Sequence, residues 1–509
     1  MESKIYLRRL PSYQNLTAAQ EKYVGINVFY NLAPIPSEKM KEEFRDYILY
    51  RSERVAITTL LGERKHFKVL CRFLQKRAVR INSLRDLDKE TWVHRLKQWM
   101  MLEGIPLTYE FVGTYGNRSY AQAEVISYLE NILNFMEPED NRPEVEKNVW
   151  ELKKLDIQVK ASPIKRCETL IFTKILQPEI REEVKKGIYL NLQDESLACI
   201  QKELTAMRRL SAYLQDKHPD IKSCQEIDRE LLEDYLTYLK TEEITTKHLH
   251  SDLTRLRAIL ESIGKIYNYS NLEFLFLTRD IPPTPKSEFR SYSESELRRL
   301  NAALVDMDEQ IARLMIIHQM LGARISDTLT LEPDCLYEKN GTTIIRIRQV
   351  KSNTYEKPIS AELSTLIRKA IEYTKEHYGD TPYIFVDERN PTRPMSYGTL
   401  QIRVVTMIRK ADLRDDNGEL FGFGTHMYRH TYGVKLTELH LDDWTIAKLL
   451  GHSNVRNVKY YRKMSNQLLA DETRRIRNLQ SQIILENLDG WEEEYAKIRE
   501  DDRLEPADQ

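Results

Sequence analysis

Ala447-Lys-Leu-Leu-Gly451-His452-Ser-Asn-Val-Arg-Asn-Val-Lys-Tyr460-Tyr461-Arg-Lys463 is a helical run, a glycine turn and a second helical run. Read alone it is a helix–turn–helix with Gly451 at the turn. Two adjacent tyrosines follow, and neighbours on a helix point about 100° apart, so only one of them can face a common site with His452. Two upstream segments concentrate the same reactive residue types. They are Leu321-Gly-Ala-Arg324-Ile-Ser-Asp327-Thr-Leu-Thr-Leu331 and Thr425-His426-Met-Tyr-Arg429-His430-Thr431. A helix–turn–helix gives no reason for Arg324, His426 or Arg429, so the three segments are better read together.

Two arginines and several histidines suit a phosphodiester. Each guanidinium is a planar fork of donors that matches phosphate oxygens, and two forks can hold the charge that builds on a five-coordinate phosphorus. A phenol beside them can attack and store the bond as a phosphotyrosyl ester. No carboxylate cluster with metal-ligand spacing is evident, which makes two-metal hydrolysis the less natural reading. Asp327 is read as positioning Arg324, and His430 as a packing or orienting residue.

Gly-x-Arg-Ile-Ser-Asp, then His-x-x-Arg-His-Thr, then Leu-Leu-Gly-His-Ser with a tyrosine nine residues after that histidine, resembles the tyrosine recombinase (phage integrase) family over about residues 300–470. The resemblance implies Arg324 and Arg429 as the phosphate clamp and His426 as an aid to proton transfer at the tyrosine. His452 would bond the scissile phosphate and Tyr461 would be the nucleophile. It also implies a lysine on a β-hairpin turn that protonates the leaving 5′-oxygen, for which Lys351 is the choice and Lys357 the competitor. Tyr460 is then read as core. Met427, Tyr428 and Ala323 depart from the usual motif without touching a proposed catalytic atom.

Outward from the motifs, Gly341-Thr-Thr-Ile-Ile-Arg-Ile-Arg alternates, and Pro358-Ile359 lies beyond a polar turn at Ser352-Asn353-Thr354, which predicts a hairpin. Ser291-Tyr-Ser-Glu-Ser-Glu opens a helix with a capping box. Three prolines between Pro282 and Pro285 mark residues 281–290 as an extended linker. Before it the pattern is helical, with apolar residues at three- and four-residue spacing. The stretches starting at Arg72 and Ala212 run parallel at a constant offset of 140, with identities such as Leu74/Leu214, Ser83/Ser223 and Asp88/Asp228. A gap-free match predicts a duplicated helical bundle.

The expected fold is mainly α with a small β-sheet: N-terminal helical bundles, then an α+β catalytic domain. The expected boundaries are a segment 1–35, a bundle 36–160, a core-DNA-binding bundle 161–280, the linker, a catalytic domain 291–475, and a C-terminal helix with acidic tail 476–509. The first bundle is left between a second DNA-binding module and an assembly surface. Lys247 to Arg257 is a candidate backbone-contacting helix.

The chain has 509 residues, 41% hydrophobic and 30% charged, enough for several packed domains. No apolar run approaches a membrane span and no secretory leader is evident, so the expectation is a cytoplasmic, nucleoid-associated protein. The five cysteines are scattered, which excludes a CxxC site or a disulfide scaffold. Net charge is −1, but residues 481–509 carry ten acids against three bases, leaving +6 on the remainder. Net charge therefore neither supports nor excludes DNA.

No cofactor is expected. The resemblance implies double-stranded DNA at specific sites as partner, a homotetramer that passes a C-terminal segment between protomers, and accessory DNA-bending or directionality proteins. It leaves two alternatives: a hairpin-forming resolvase or type IB topoisomerase-like enzyme, and a non-catalytic DNA-binding protein on the same scaffold.

Overall fold

The computed structural model describes residues 3–13, 24–25, 27–113, 116–138, 140–241, 249–284, 290–350 and 354–464. The chain divides into two compact units, Met1–Asn141 and Arg142–Gln509.

In the first unit, strands β1 (Lys4–Tyr6) and β2 (Phe29–Asn31) pair antiparallel ahead of four helices. These are α1 (Glu38–Ser52), α2 (Ile57–Arg77), α3 (Lys89–Leu102) and α4 (Glu124–Met136). A hairpin, β3 (Thr108–Val112) with β4 (Arg118–Gln122), separates the last two. Caps fix the starts: Ser37 Oγ accepts from the Met40 amide and an Asp88 carboxylate oxygen accepts from the Thr91 amide. Phe44, Phe67, Phe73, Trp92 and Trp99 fill the core.

The second unit begins with the same design. Strands β5 (Val149–Glu151) and β6 (Thr169–Ile171) precede α5 (Pro178–Asp194), α6 (Leu197–Lys217), α7 (Arg229–Thr241), α8 (Leu249–Tyr267) and a short α9 (Ser270–Glu273). The offset of 140 relates β2 to β6 and α2 to α6 end for end, and it relates the first residues of α1 and α3 to those of α5 and α7. It also relates hydrogen bonds. The Glu43 carboxylate accepts from Ser83 Oγ and the Leu84 amide, and Glu183 accepts from Ser223 Oγ and the Cys224 amide. The duplication thus reaches well beyond the stretch legible in sequence, back to the strand pairs. The strand pair also moves the expected boundary at residue 160: Trp150, 4.5 Å from Phe172 ring to ring, belongs to the core of the second bundle.

The remainder of this unit is α+β. Helices α10 (Glu294–Leu304), α11 (Glu309–Leu321) and α12 (Ile325–Leu329) lead into an antiparallel sheet of β7 (Leu336–Lys339), β8 (Thr342–Ile347) and β9 (Tyr355–Pro358). The expected capping box at Ser293 and Glu296 is present, and the expected hairpin is β8–β9, widened by β7. Helix α13 (Ala361–Tyr378), the pair β10 (Val386–Asp387) and β11 (Asn390–Pro394), and α14 (Tyr397–Lys410) follow. Helices α15 (Thr425–Glu438), α16 (Asp443–Leu450) and α17 (Val458–Met464) complete it.

Residues 162–168 strap the bundle to this part. Ile164 is buried in its core and accepts from the Tyr397 amide, while Glu168 pairs with Arg393 at 3.2 Å.

The candidate DNA-contacting helix fares differently. Lys247 lies outside the described residues, and the two arginines of the stretch are already used. Arg255 pairs with Glu195 and Glu203, and Arg257 with Glu261. The stretch after 464 lies outside the described residues as well.

Candidate active site

Gly322 ends α11 with φ 56°, in the left-handed region that glycine adopts without a Cβ penalty. A Cβ there would lie 2.4 Å from the Tyr432 ring. This tight exit delivers Arg324 to the N-cap of α12, in extended backbone just before the helix. Asp327 is buried beside it, its carboxylate 3.7 Å from the guanidinium and accepting from Ser326 Oγ and the Val350 amide.

His318, fully buried, ties the first motif to the second. Its Nε2 donates to the Thr425 carbonyl at 3.2 Å, and its Nδ1 accepts from Thr328 Oγ1 at 2.9 Å. Burial holds this imidazole neutral, with its pKa down at about 4.

Arg429 projects from α15 and is 3% exposed. Its Nη1 donates to the Gly322 carbonyl at 2.9 Å and its Nη2 to the Leu450 carbonyl at 2.7 Å. Both acceptors end helices, where carbonyls carry the negative pole of the helix dipole. Two helix C-termini therefore compensate a buried cation that would otherwise be costly. Nη2 also lies 3.1 Å from His452 Nε2. A guanidinium only donates, so Nε2 is the acceptor and His452 is neutral. Burial, then the charges of Arg429 and Arg324, push its pKa down to about 4.

Tyr461, on α17, is 4% exposed, with its hydroxyl 3.4 Å from His452 Nε2. Burial raises the phenol pKa, and Arg429 and Arg324 oppose that rise. Its ring lies flat against Gly433 of α15, where a Cβ would meet ring carbons at 2.8 Å.

Tyr460, expected in the core, is instead 44% exposed. The inward face of α17 is set by Val458 and Tyr461, three residues apart, and that turns Tyr460 outward.

The structure therefore brings Arg324, Arg429, His452 and Tyr461 together. His426 stands at the exposed margin, one helical turn before His430, their rings 6.2 Å apart. His430 lies 6.2 Å from the Tyr461 ring and bonds the Arg290 carbonyl through Nδ1.

Lys351 lies outside the described residues. Lys357, its competitor, is buried on β9. Its ammonium donates to the Leu321 carbonyl and sits 4.8 Å over the Tyr432 ring. Burial and then Arg429 lower its pKa to about 7.

Two neighbours were not found from the sequence. Gln349 Nε2 donates to the Gly451 carbonyl at 3.1 Å. The Tyr355 ring occupies the space a Cβ on Gly451 (φ 64°) would need. Tyr355 and Lys357 alternate inward on one strand, and that period of two was the available signal. Gln349 and Tyr355 border a hollow of about 460 Å³ shared with Trp444, Lys448 and His452. Among the described residues no group of three His, Cys, Asp or Glu side chains could hold a metal ion.

Residues 290–467 match the phage integrase family. Transposase B from transposon Tn554 of Staphylococcus aureus is 23% identical over 409 residues, covering 79% of this chain and 65% of that protein. The match thus spans just under two thirds of the transposase. Tyrosine recombinase XerA of Pyrococcus horikoshii is 23% identical over 218 residues, 42% of this chain and 71% of that one. Among solved structures, the XerH site-specific recombinase bound to palindromic difH substrate is 16% identical. It covers 59% of this chain and 91% of that one, with a TM-score of 0.44. All four clustered side chains, and both histidines of α15, lie inside the stretch that matches the phage integrase family.

Proposed function

We propose that this protein is a site-specific DNA recombinase that cuts and rejoins strands through a 3′-phosphotyrosine, in the movement of a mobile element. The observation that carries the reading is the placing of the Tyr461 phenol at the imidazole that Arg429 also holds, with Arg324 alongside. Tyr461 Oη attacks the phosphorus, the P–O5′ bond breaks, and the 5′-oxygen leaves as a hydroxyl. Arg324 and Arg429 take the charge on the non-bridging oxygens. His452, kept neutral, bonds the phosphate, and His426, at the open margin, aids removal of the phenol proton. Lys351 supplies the proton to the 5′-oxygen.

A 5′-hydroxyl from a partner strand reverses the step, so no external energy source is consumed. In this reading the second bundle is the core-DNA-binding domain, the partner is double-stranded DNA, and the working unit is a homotetramer served by accessory DNA-bending or directionality proteins. The Tn554 relative is named a transposase, which supports the mobile-element role.

The test is covalent trapping. Full-length protein is incubated with nicked suicide duplexes taken from the DNA flanking its own coding sequence, in chelator, beside Tyr461→Phe and Tyr460→Phe. A protein–DNA adduct lost only in Tyr461→Phe is the expected result. Duplex binding with no adduct from any form refutes the chemistry, and loss only in Tyr460→Phe moves the nucleophile.

A further inference from the structure

The two copies of the bundle share what the fold needs: the strand pair, the Glu43/Glu183 clasp, the capping acids and the apolar positions. They differ in charge. Residues 57–102 hold eleven Lys and Arg against four Asp and Glu, a net +7, whereas the equivalent residues 197–242 hold seven against nine, a net −2. A fold that tolerates −2 in one copy does not require +7 in the other.

The excess is organised. Lys65, Lys68, Arg72 and Lys76 recur at spacings of three and four, so they form one exposed stripe along α2. The eleven steps of helix from Lys65 to Lys76 make this stripe about 16 Å long. The 140-related positions are Thr205, Arg208, Ala212 and Asp216, where Arg208 is turned onto the Ile171 carbonyl.

Arg77, the last residue of α2, and Arg80 beyond it extend the basic surface, and Arg95 joins it from α3. Arg77 and Arg95 flank a hollow of about 610 Å³ backed by Trp99. The position related to Arg95 is Tyr235, buried in the second bundle. Lys65 pairs with Glu124 and Lys76 with Glu103. Among the described residues Lys68, Arg72, Arg77, Arg80 and Arg95 have no carboxylate within ion-pair distance.

We propose that this α2–α3 face is a second nucleic-acid surface, which takes the sugar–phosphate backbone of duplex DNA without reading its sequence. Long cations projecting from a straight helix suit phosphates that recur every 3.4 Å of duplex axis on each strand. Arginine forks add bidentate contacts. The face lies in the first unit and carries none of the tyrosine chemistry, so the proposal stands or falls separately from the one above.

The experiment uses the full chain and a random-sequence duplex of about 40 base pairs, long enough for several phosphate contacts. Binding is followed by fluorescence anisotropy as potassium chloride is raised. Each neutralised phosphate contributes about 0.9 to the slope of log affinity against log salt. The triple variant Lys68→Ala/Arg72→Ala/Arg95→Ala should make that slope shallower by about 2 to 3. Lys68→Arg/Arg72→Lys/Arg95→Lys should restore it. All three residues are exposed, and an unchanged melting temperature confirms the fold. A slope unchanged in the folded triple variant overturns the proposal. So does an unchanged slope with loss of binding to polyglutamate, which would assign the face to an acidic polypeptide.

Discussion

Gly433→Ala separates the geometry of the proposed nucleophile from the stability of the helix that carries it. Gly433 sits inside α15, where glycine costs a helix about 1 kcal/mol relative to alanine. The Cβ of an alanine would stand 2.8 Å from two carbons of the Tyr461 ring and 2.9 Å from a third. Carbon–carbon contacts are comfortable at about 3.5–4.0 Å, so the ring must retreat by roughly 0.7–1.2 Å. The hydroxyl moves with it and loses its present setting, 3.4 Å from His452 Nε2.

Misplacing a reacting atom by about 1 Å costs on the order of 100-fold in rate. Crowding opposes the helix gain by about 1–3 kcal/mol, so net stability should move by no more than about 2 kcal/mol. The assay is the single-turnover rate of adduct formation on a nicked duplex, with a urea melt of the same sample. The expected result is an adduct rate down about 100-fold in a protein that unfolds near the wild-type midpoint. A folded variant within threefold of wild type would refute the inference that the α15–α17 contact sets the phenol.

Gly62→Ala is the matched control. A Cβ there meets nothing within 4 Å, so it should raise stability by about 1 kcal/mol in a urea melt and leave the adduct rate unchanged. Arg429→Lys keeps a cation but cannot reach the Gly322 carbonyl, the Leu450 carbonyl and His452 together. Adduct formation should fall about 10²–10³-fold in the trapping assay, the cost of losing a preorganised donor. His318 has a folded pKa below its ordinary value of 6.5, so its contribution is intact above pH 6.5 and is lost as pH falls toward 4. By pH 5 that loss is about 2 kcal/mol. It should show as a lower urea midpoint at pH 5 than at pH 7.5, with the difference reduced in His318→Asn.

The three motifs carried most of the site because each places its reactive residue by local rules: a glycine exit before Arg324, a helix start before Arg429, and a glycine turn before His452. Helix geometry left one of the two tyrosines to face the site, the family's spacing after His452 pointed to Tyr461, and the structure buries Tyr461. Tyr460 does not reach the core, since a short helix packed on one side has a single inward face. The bundle duplication was legible where the apolar positions coincide, at 72–96 and 212–236. It was silent in the strand pairs, which are held by main-chain bonds that leave no side-chain signature. What holds Arg429 was illegible for the same reason: its partners include the main-chain carbonyls of residues 322 and 450, which a residue of any type supplies.

The buried atoms left without hydrogen-bond partners complete the electrostatic argument. Among the described residues, Arg324 Nη1, Asp327 Oδ2 and Tyr355 Oη are such atoms. Buried polar groups are nearly always paired, so three orphans beside two guanidiniums and a buried amine are a cost the fold carries in its free state. Among the described residues Asp327 is the one carboxylate within ion-pair distance of Arg324, and Arg429 bonds two carbonyls and the neutral His452. The cluster therefore has more positive charge than its own residues neutralise. An anion entering between Arg324 and Arg429 would satisfy the orphan donor and offset the repulsion that depresses Lys357. A phosphodiester does both, and in its five-coordinate form it carries more charge than at rest. Donors already aimed at that charge then favour the transition state over the ground state, the condition for binding energy to appear as rate.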